Sequence, residues 1–191
     1  MSKYGYIGKD GPTQAVLSNS GVFSVNEHKD LLDQDKILTL GQLELIQTQT
    51  IDDSDFSETI LYMDFTSLGD YNIHFLTYSN MFTQGYGYPT IRFSNDGGSS
   101  FEASGYQYAY WNTAEDTVNE GKNTSDDGIK LSANQYQNCN GYVYLFNLKN
   151  SAKYSFTTNQ SSNVGGNNVS KDVAFGGGLY STAEVNNAIR F

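Results

Sequence analysis

Cysteine is nearly absent from this 191-residue chain, with Cys139 as the single example. That excludes an internal disulfide framework and any cysteine-based zinc cluster. Histidine is almost as scarce. His28 and His74 are the only two, which leaves little for a His-rich metal centre or a catalytic dyad. Positive charge is also short: 11 Lys and Arg stand against 21 Asp and Glu, for a formal net charge of −10. Nucleic-acid affinity rests on basic patches, so that function class falls away. No apolar run is long enough to span a membrane as a helix. The segment Met1-Ser2-Lys3-Tyr4-Gly5 forms no apolar signal core. What remains is a chain with 15 Tyr, 19 Gly and 14 % aromatic residues, more aromatic than a disordered chain. Its length suits one domain, or one domain with an arm.

Residues 1–20 are rich in Gly and Ser, with Gly11-Pro12 as a turn signal. They read as an extended arm without a core of its own. Ser24 and Glu27 have the spacing of a capping box. A short helix is therefore expected over Val25–Asp33. Val22, Phe23, Val25, Leu31 and Leu32 form a compact apolar anchor around it, suited to docking on another protein. Residues 1–41 are thus expected to be an arm with a docking helix, and residues 42–191 a β-domain.

From Gln42 the period changes to two. Strands are expected over Gln42–Thr50, Thr59–Phe65, Tyr71–Tyr78, the Ile91/Phe93 segment, Phe101–Trp111, Gly141–Leu148, Lys153–Thr158, Ala183–Phe191 and, more weakly, Asp172–Phe175. In Tyr71–Tyr78 the inward set is expected to be Tyr71, Ile73 and Phe75, leaving Asn72, His74 and Leu76 outward. Asn95-Asp96-Gly97-Gly98 is a strong turn, because these residues tolerate positive φ. Residues 112–138 are polar and read as a long loop. Gly176-Gly177-Gly178 reads as a separator between strands. Long helices do not alternate with the strands, so a parallel α/β fold is excluded. The expected class is all-β: an antiparallel, jelly-roll-like β-sandwich with an N-terminal arm and one short helix.

No constellation selects a chemistry. The carboxylates of Asp52, Asp53, Asp55, Glu58, Asp64, Asp126 and Asp127 sit mostly among turn residues, and their spacing singles out no acid–base pair. Neither histidine follows a nucleophile motif. Asp52–Asp55 and Ser125–Asp127 cluster hard oxygens of the kind Ca²⁺ accepts, but without the EF-hand pattern. No cofactor or metal site is assigned, and the chain is not expected to be an enzyme. The aromatic residues are more distinctive. Tyr86 and Tyr88 share a loop. Tyr106, Tyr108 and Tyr110 lie two apart, followed by Trp111. Flat rings with polar tips stack on sugars, and they equally fill cores and subunit interfaces. These six residues are the candidate carbohydrate platform. Both faces of Leu61–Phe65 and Tyr142–Phe146 look apolar, and an apolar outer face wants a partner copy.

Three stretches carry a resemblance. Gly21-Val22-Phe23-Ser24-Val25-Asn26-Glu27-His28 resembles the leading segment of virion appendage proteins of tailed phages, especially marine cyanophages. The run Ile60–Ser67, Tyr71–Tyr78 and Ile91-Arg92-Phe93-Ser94-Asn95-Asp96-Gly97-Gly98-Ser99 is similar to their jelly-roll modules. So is Ala183-Glu184-Val185-Asn186-Asn187-Ala188-Ile189-Arg190-Phe191. Such modules usually continue for another strand beyond this last segment. The resemblance implies a non-enzymatic structural protein of the particle: a tail-appendage or fibre component, or a capsid-surface decoration. It implies a homotrimer at the particle surface or tail. The arm is expected to dock to other virion proteins, and the alternative expectation, resting on the aromatic residues, is a carbohydrate-binding module for host surface polysaccharide.

Overall fold

The computed structural model describes residues 26, 29–30, 43–51, 62–81, 88–114, 117–131, 137–164 and 171–191. The chain divides into two units, Met1–Leu45 and Ile46–Phe191. In the first, Asn26, Lys29 and Asp30 are helical and exposed. The rest of the expected helix lies outside the described residues, as do Val22, Phe23, Val25, Leu31 and Leu32. Residues 43–51 contain no strand, so the expected strand over Gln42–Thr50 is not formed there.

The second unit holds the strands β1 (Asp64–Phe65), β2 (Ile73–Met81), β3 (Thr90–Ser94), β4 (Tyr106–Ala114), β5 (Thr117–Asp126), β6 (Ile129–Lys130), β7 (Gln137–Phe146), β8 (Tyr154–Val164), β9 (Lys171–Ala183) and β10 (Ala188–Arg190). They form a four-stranded sheet in the order β1-β10-β3-β6 and a six-stranded sheet in the order β2-β7-β8-β9-β4-β5. The recorded ladders are antiparallel. The two sheets close as a sandwich over one core.

Period two decides which residues enter that core. The small sheet sends in Phe65, Ile91, Phe93, Ile129 and Ile189, and the large sheet sends in Tyr78, Tyr106, Tyr108, Val143, Leu145 and Tyr180. Phe93 is the contact that joins them. Its ring centroid lies 5.8 Å from that of Tyr106 and 6.2 Å from that of Tyr180. The Phe93 N–H also donates to the Tyr106 hydroxyl at 2.7 Å, so the phenol keeps a partner inside the core. At the other end of the small sheet, Tyr78 packs on Phe191 at 5.0 Å between centroids.

Four expectations are corrected by this packing. The polar stretch 112–138 is not a long loop, because β4 runs to Ala114 and β5, β6 and the start of β7 follow. Its polarity hides the strands: β5 is an edge strand exposed along most of its length, so it needs no apolar alternation. Gly176-Gly177-Gly178 is not a separator but the middle of β9. There β9 lies close to its neighbours and under β6. A Cβ on Gly178 would sit 2.6 Å from the Gln107 carbonyl oxygen and 2.8 Å from Ile129 Cγ2. The parity of β2 is reversed: His74 and Tyr78 are buried, while Ile73 and Phe75 are exposed. Finally, β8 extends past Thr158 to Val164. Its inward residues are Ser155, Thr157, Asn159, Ser161 and Asn163, all buried and none apolar. They are held by polar contacts. Asn159 Nδ2 and Ser161 Oγ donate to the Leu131 carbonyl at 2.8 and 3.2 Å. The Gly178 N–H donates to Thr157 Oγ1 at 3.0 Å.

The turn after β3 has the expected form, with Gly97 and Gly98 at φ 77° and 91°. Asp96 organises it. Its carboxylate accepts from the Ser100 hydroxyl at 2.6 Å, the Ser100 N–H at 2.9 Å and the Ser94 hydroxyl at 2.8 Å. These bonds, those from Ser100 foremost, hold the carboxyl down to about 2. Hydrogen bonds to the charged form favour it.

Two measurements follow from this architecture. Gly178→Ala forces Ile129 or the Gln107 carbonyl to move and is expected to lower stability by about 1–3 kcal/mol in chemical denaturation. An unchanged midpoint would contradict the close approach. In a carboxyl NMR titration Asp96 is expected to have its midpoint near 2, below its ordinary value of 3.8. Because the folded value is the lower one, the turn's stabilisation is complete above the ordinary value and is lost as pH falls through the folded one. Ser100→Ala should move the midpoint back upward. A midpoint at the ordinary value in the parent protein would refute the assignment.

Candidate binding surface

The outer faces of the two sheets differ in chemistry. On the small sheet, Asp64, Arg190 and Arg92 are successive cross-strand neighbours. Arg190 Nε and Nη2 each donate to the Asp64 carboxylate at 2.7 Å, a two-point pair. The Arg190 guanidinium also lies 4.3 Å from the Tyr62 ring centroid and 4.1 Å from that of Phe101. Arg92 pairs with Asp127. This surface has both arginines paired with carboxylates, and Arg190 is stacked on rings as well.

The large sheet has the opposite character. Its outward positions on β2, β7 and β8 are Ile73 and Phe75, then Tyr142, Tyr144 and Phe146, then Tyr154 and Phe156. The register lines them up: Ile73 faces Phe146, which faces Phe156, and Phe75 faces Tyr144. Phe75 and Tyr144 have ring centroids 4.6 Å apart, with Tyr142 5.9 Å from Phe75 and Phe146 6.3 Å from Tyr144. Ile73, Phe75, Tyr144, Tyr154 and Phe156 are nonetheless exposed. Across the sheet, Trp111 of β4 faces Phe175 of β9 on one side and Glu120 of β5 on the other. Trp111 is 60 % exposed and Phe175 49 %, so neither ring serves the core. Beside them lies an open depression of about 300 Å³, lined by Ala109, Trp111, Glu120, Lys122 and Phe175 among others.

The six expected platform residues are split by parity. Tyr106 and Tyr108 point inward and are buried, so they fill the core and offer no face to a sugar. Tyr110 follows them inward, stacked on Tyr108 at 6.0 Å between centroids and lying over Gly121. Tyr88 is half-buried, with Lys130 Nζ 4.5 Å above its ring. Tyr86 lies outside the described residues. Trp111, one residue out of phase with the tyrosines, lands on the outer face. The structure therefore puts Trp111 on the opposite face from the three tyrosine rings, although Tyr110 also borders the depression, and joins it to Phe175, Glu120 and Lys122, which the sequence analysis did not select. Phe175 sat next to a glycine run read as a break, and the two charged residues sat in a stretch read as loop. The odd–even offset between Trp111 and Tyr106/Tyr108/Tyr110 is the one signal in the sequence that separates them.

The carboxylates and titratable groups are drawn into structural roles. Asp126 accepts from the Tyr108 hydroxyl and from Asn123 Nδ2, each at 2.9 Å, and from the Asp127 N–H at 2.8 Å. Lys130 Nζ lies 3.8 Å from it. Burial alone would push this carboxyl up, but the hydrogen bonds outweigh it and the carboxyl lies below its ordinary value. The Asp52–Asp55 cluster lies outside the described residues. His74, expected outward, is buried, and burial lowers its pKa against the pull of the Leu68 and Gly69 carbonyls. Cys139 is buried, and burial pushes its thiol up to about 11. Among the described residues, no three His, Cys, Asp or Glu side chains converge as metal ligands, and no helix is long and apolar enough to cross a membrane. No protein-family model, curated protein or solved structure matches this chain.

The thiolate is the reactive form of cysteine. Cys139 in the native protein is therefore expected to resist a disulfide reagent at mildly alkaline pH and to react fully once denatured. Rapid labelling of the native protein would contradict its burial.

Proposed function

We propose that this chain is a non-enzymatic structural protein of a phage virion, a tail-appendage or fibre component or a capsid-surface decoration, assembled as a homotrimer. The observation that carries the reading is the aromatic outer face on β2, β7 and β8. A sandwich needs one buried face per strand. A second face bearing Ile73, Phe75, Tyr144 and Phe156 in adjacent register is costly to leave in water, and a second copy of the chain covers it. The matched charges on the small sheet suit the opposite role of facing solvent.

The strand order supports the resemblance. With the β7–β8 hairpin set aside, β1, β10, β3 and β6 alternate with β2, β9, β4 and β5 as the eight strands of a jelly roll alternate between two sheets. A non-catalytic role is supported by the engagement of Asp64, Asp126 and Asp127 in ion pairs and hydrogen bonds. In this reading the arm, with Val22, Phe23, Val25, Leu31 and Leu32, attaches the sandwich to a neighbouring virion protein. The location is then the particle surface or tail.

Light scattering of the full chain at micromolar concentration is expected to give three times the 21.1 kDa chain mass. Phe75→Glu combined with Tyr144→Glu should release monomers with the β-sheet circular dichroism spectrum retained. Both rings are at least 39 % exposed, so the core survives their loss. A parent protein that remains monomeric, or a double variant that remains trimeric, would overturn the interface.

A further inference from the structure

We infer that the β5–β4–β9 end of the large sheet's outer face is a binding groove for a neutral polysaccharide, with Trp111 and Phe175 as the stacking pair. This goes beyond the assembly reading and uses a different part of the sheet from the β2–β7–β8 face.

The groove follows from the register. Trp111 and Phe175 are direct cross-strand partners, which places their Cβ atoms roughly 5 Å apart. The next outward row holds Ala109 and Gly177, also direct partners. Beyond it come Gln107 and Leu179. Two large rings therefore stand beside a floor of the two smallest residues, with medium-sized side chains on the far bank. The hollow of about 300 Å³ lies toward β5, between Trp111, Phe175 and Ala109 on one side and Glu120, Gly121 and Lys122 on the other, and is at the lower end of small-ligand sites. It is open to solvent, so one unit of a longer chain can enter it. Lys122 sits opposite Ala109 and Glu120 opposite Trp111 on β5, both exposed. They offer one donor group and one acceptor group at the same end.

That combination selects the ligand class. A sugar ring presents C–H faces to stack on aromatic rings and hydroxyls around its edge to meet donors and acceptors. An acyl chain or an apolar helix would leave Glu120 and Lys122 against apolar surface, which is costly. A polyanion would approach a chain with a formal charge of −10, where repulsion opposes it. An uncharged sugar polymer meets neither obstacle.

Trp111 is the only tryptophan in the chain, so its fluorescence reports the groove directly. The full-length protein is titrated with maltohexaose, cellohexaose, laminarihexaose and chitohexaose, with glycerol as the control. At least one oligosaccharide is expected to shift the emission saturably at millimolar concentration and to protect Trp111 from acrylamide quenching. By calorimetry, Phe175→Ala should weaken that ligand roughly tenfold. Ala109→Leu, which fills the floor and leaves both rings in place, should abolish binding with the melting temperature unchanged. Light scattering of Ala109→Leu should match the parent, which separates failure of the groove from failure of the oligomer. No response to any of the four sugars, or full binding by Ala109→Leu, would overturn the proposal.

Discussion

Phe93, packed between Tyr106 and Tyr180, is the contact on which the rest of the sandwich depends. It reaches from the four-stranded sheet to two adjacent strands of the six-stranded one. Once it is seated, the parity of β3, β4 and β9 is set, because side chains alternate strictly along a strand. Neighbouring strands inherit that parity through their ladders. Each inward residue then obliges the next to face out, and what the outer face carries is a consequence of that single choice.

The two sheets answer this constraint differently. The small sheet places charged residues outward and neutralises them by pairing, as with Arg190 and Asp64. The large sheet places rings outward. Its inner face already has enough apolar surface in Tyr78, Val143, Leu145, Tyr106 and Tyr180, and β8 contributes mainly hydrogen-bonding groups inside. Aromatic residues outside therefore do not compensate for a poor core. They are surplus to the fold, which is why they bear on binding. Within that face the distribution is uneven. The β2–β7–β8 side is a continuous aromatic sheet surface, whereas the β4–β9–β5 side interrupts its rings with Ala109 and Gly177 and borders them with charge. The first suits a flat partner and the second a narrow one.

Much of the fold was legible in the sequence. The absence of long helical periods, the Asn95–Gly98 turn and the alternating runs at Ile91–Phe93 and Gly141–Leu148 all pointed to an antiparallel sandwich. The strands that were missed or cut short share one cause. Periodicity reveals a strand when one face is apolar and the other polar. β5 is polar on both faces because it is an edge, β8 is polar inside because hydrogen bonds replace apolar contacts there, and β9 carries three glycines because Ile129 and the backbones of β4 and β8 press against it. In β2 the alternation was visible but its direction was not, since His74 is the buried member and Phe75 the exposed one.

The candidate site was less legible for a related reason. The amino-acid sequence by itself determined the class of fold, the net negative charge, the scarcity of cysteine and histidine, and the phase difference between Trp111 and the three tyrosines before it. These are properties of composition and of local spacing. Only the tertiary structure decided which phase is the core. It did so through Phe93 and Ile129, which lie far from Trp111 in the chain and occupy the side of the sheet where Tyr106 and Tyr108 point. It also brought Phe175 across from Trp111 through a pairing between strands some sixty positions apart. No local pattern encodes a cross-strand partner at that distance, because the register is set by which faces the two sheets bury against each other.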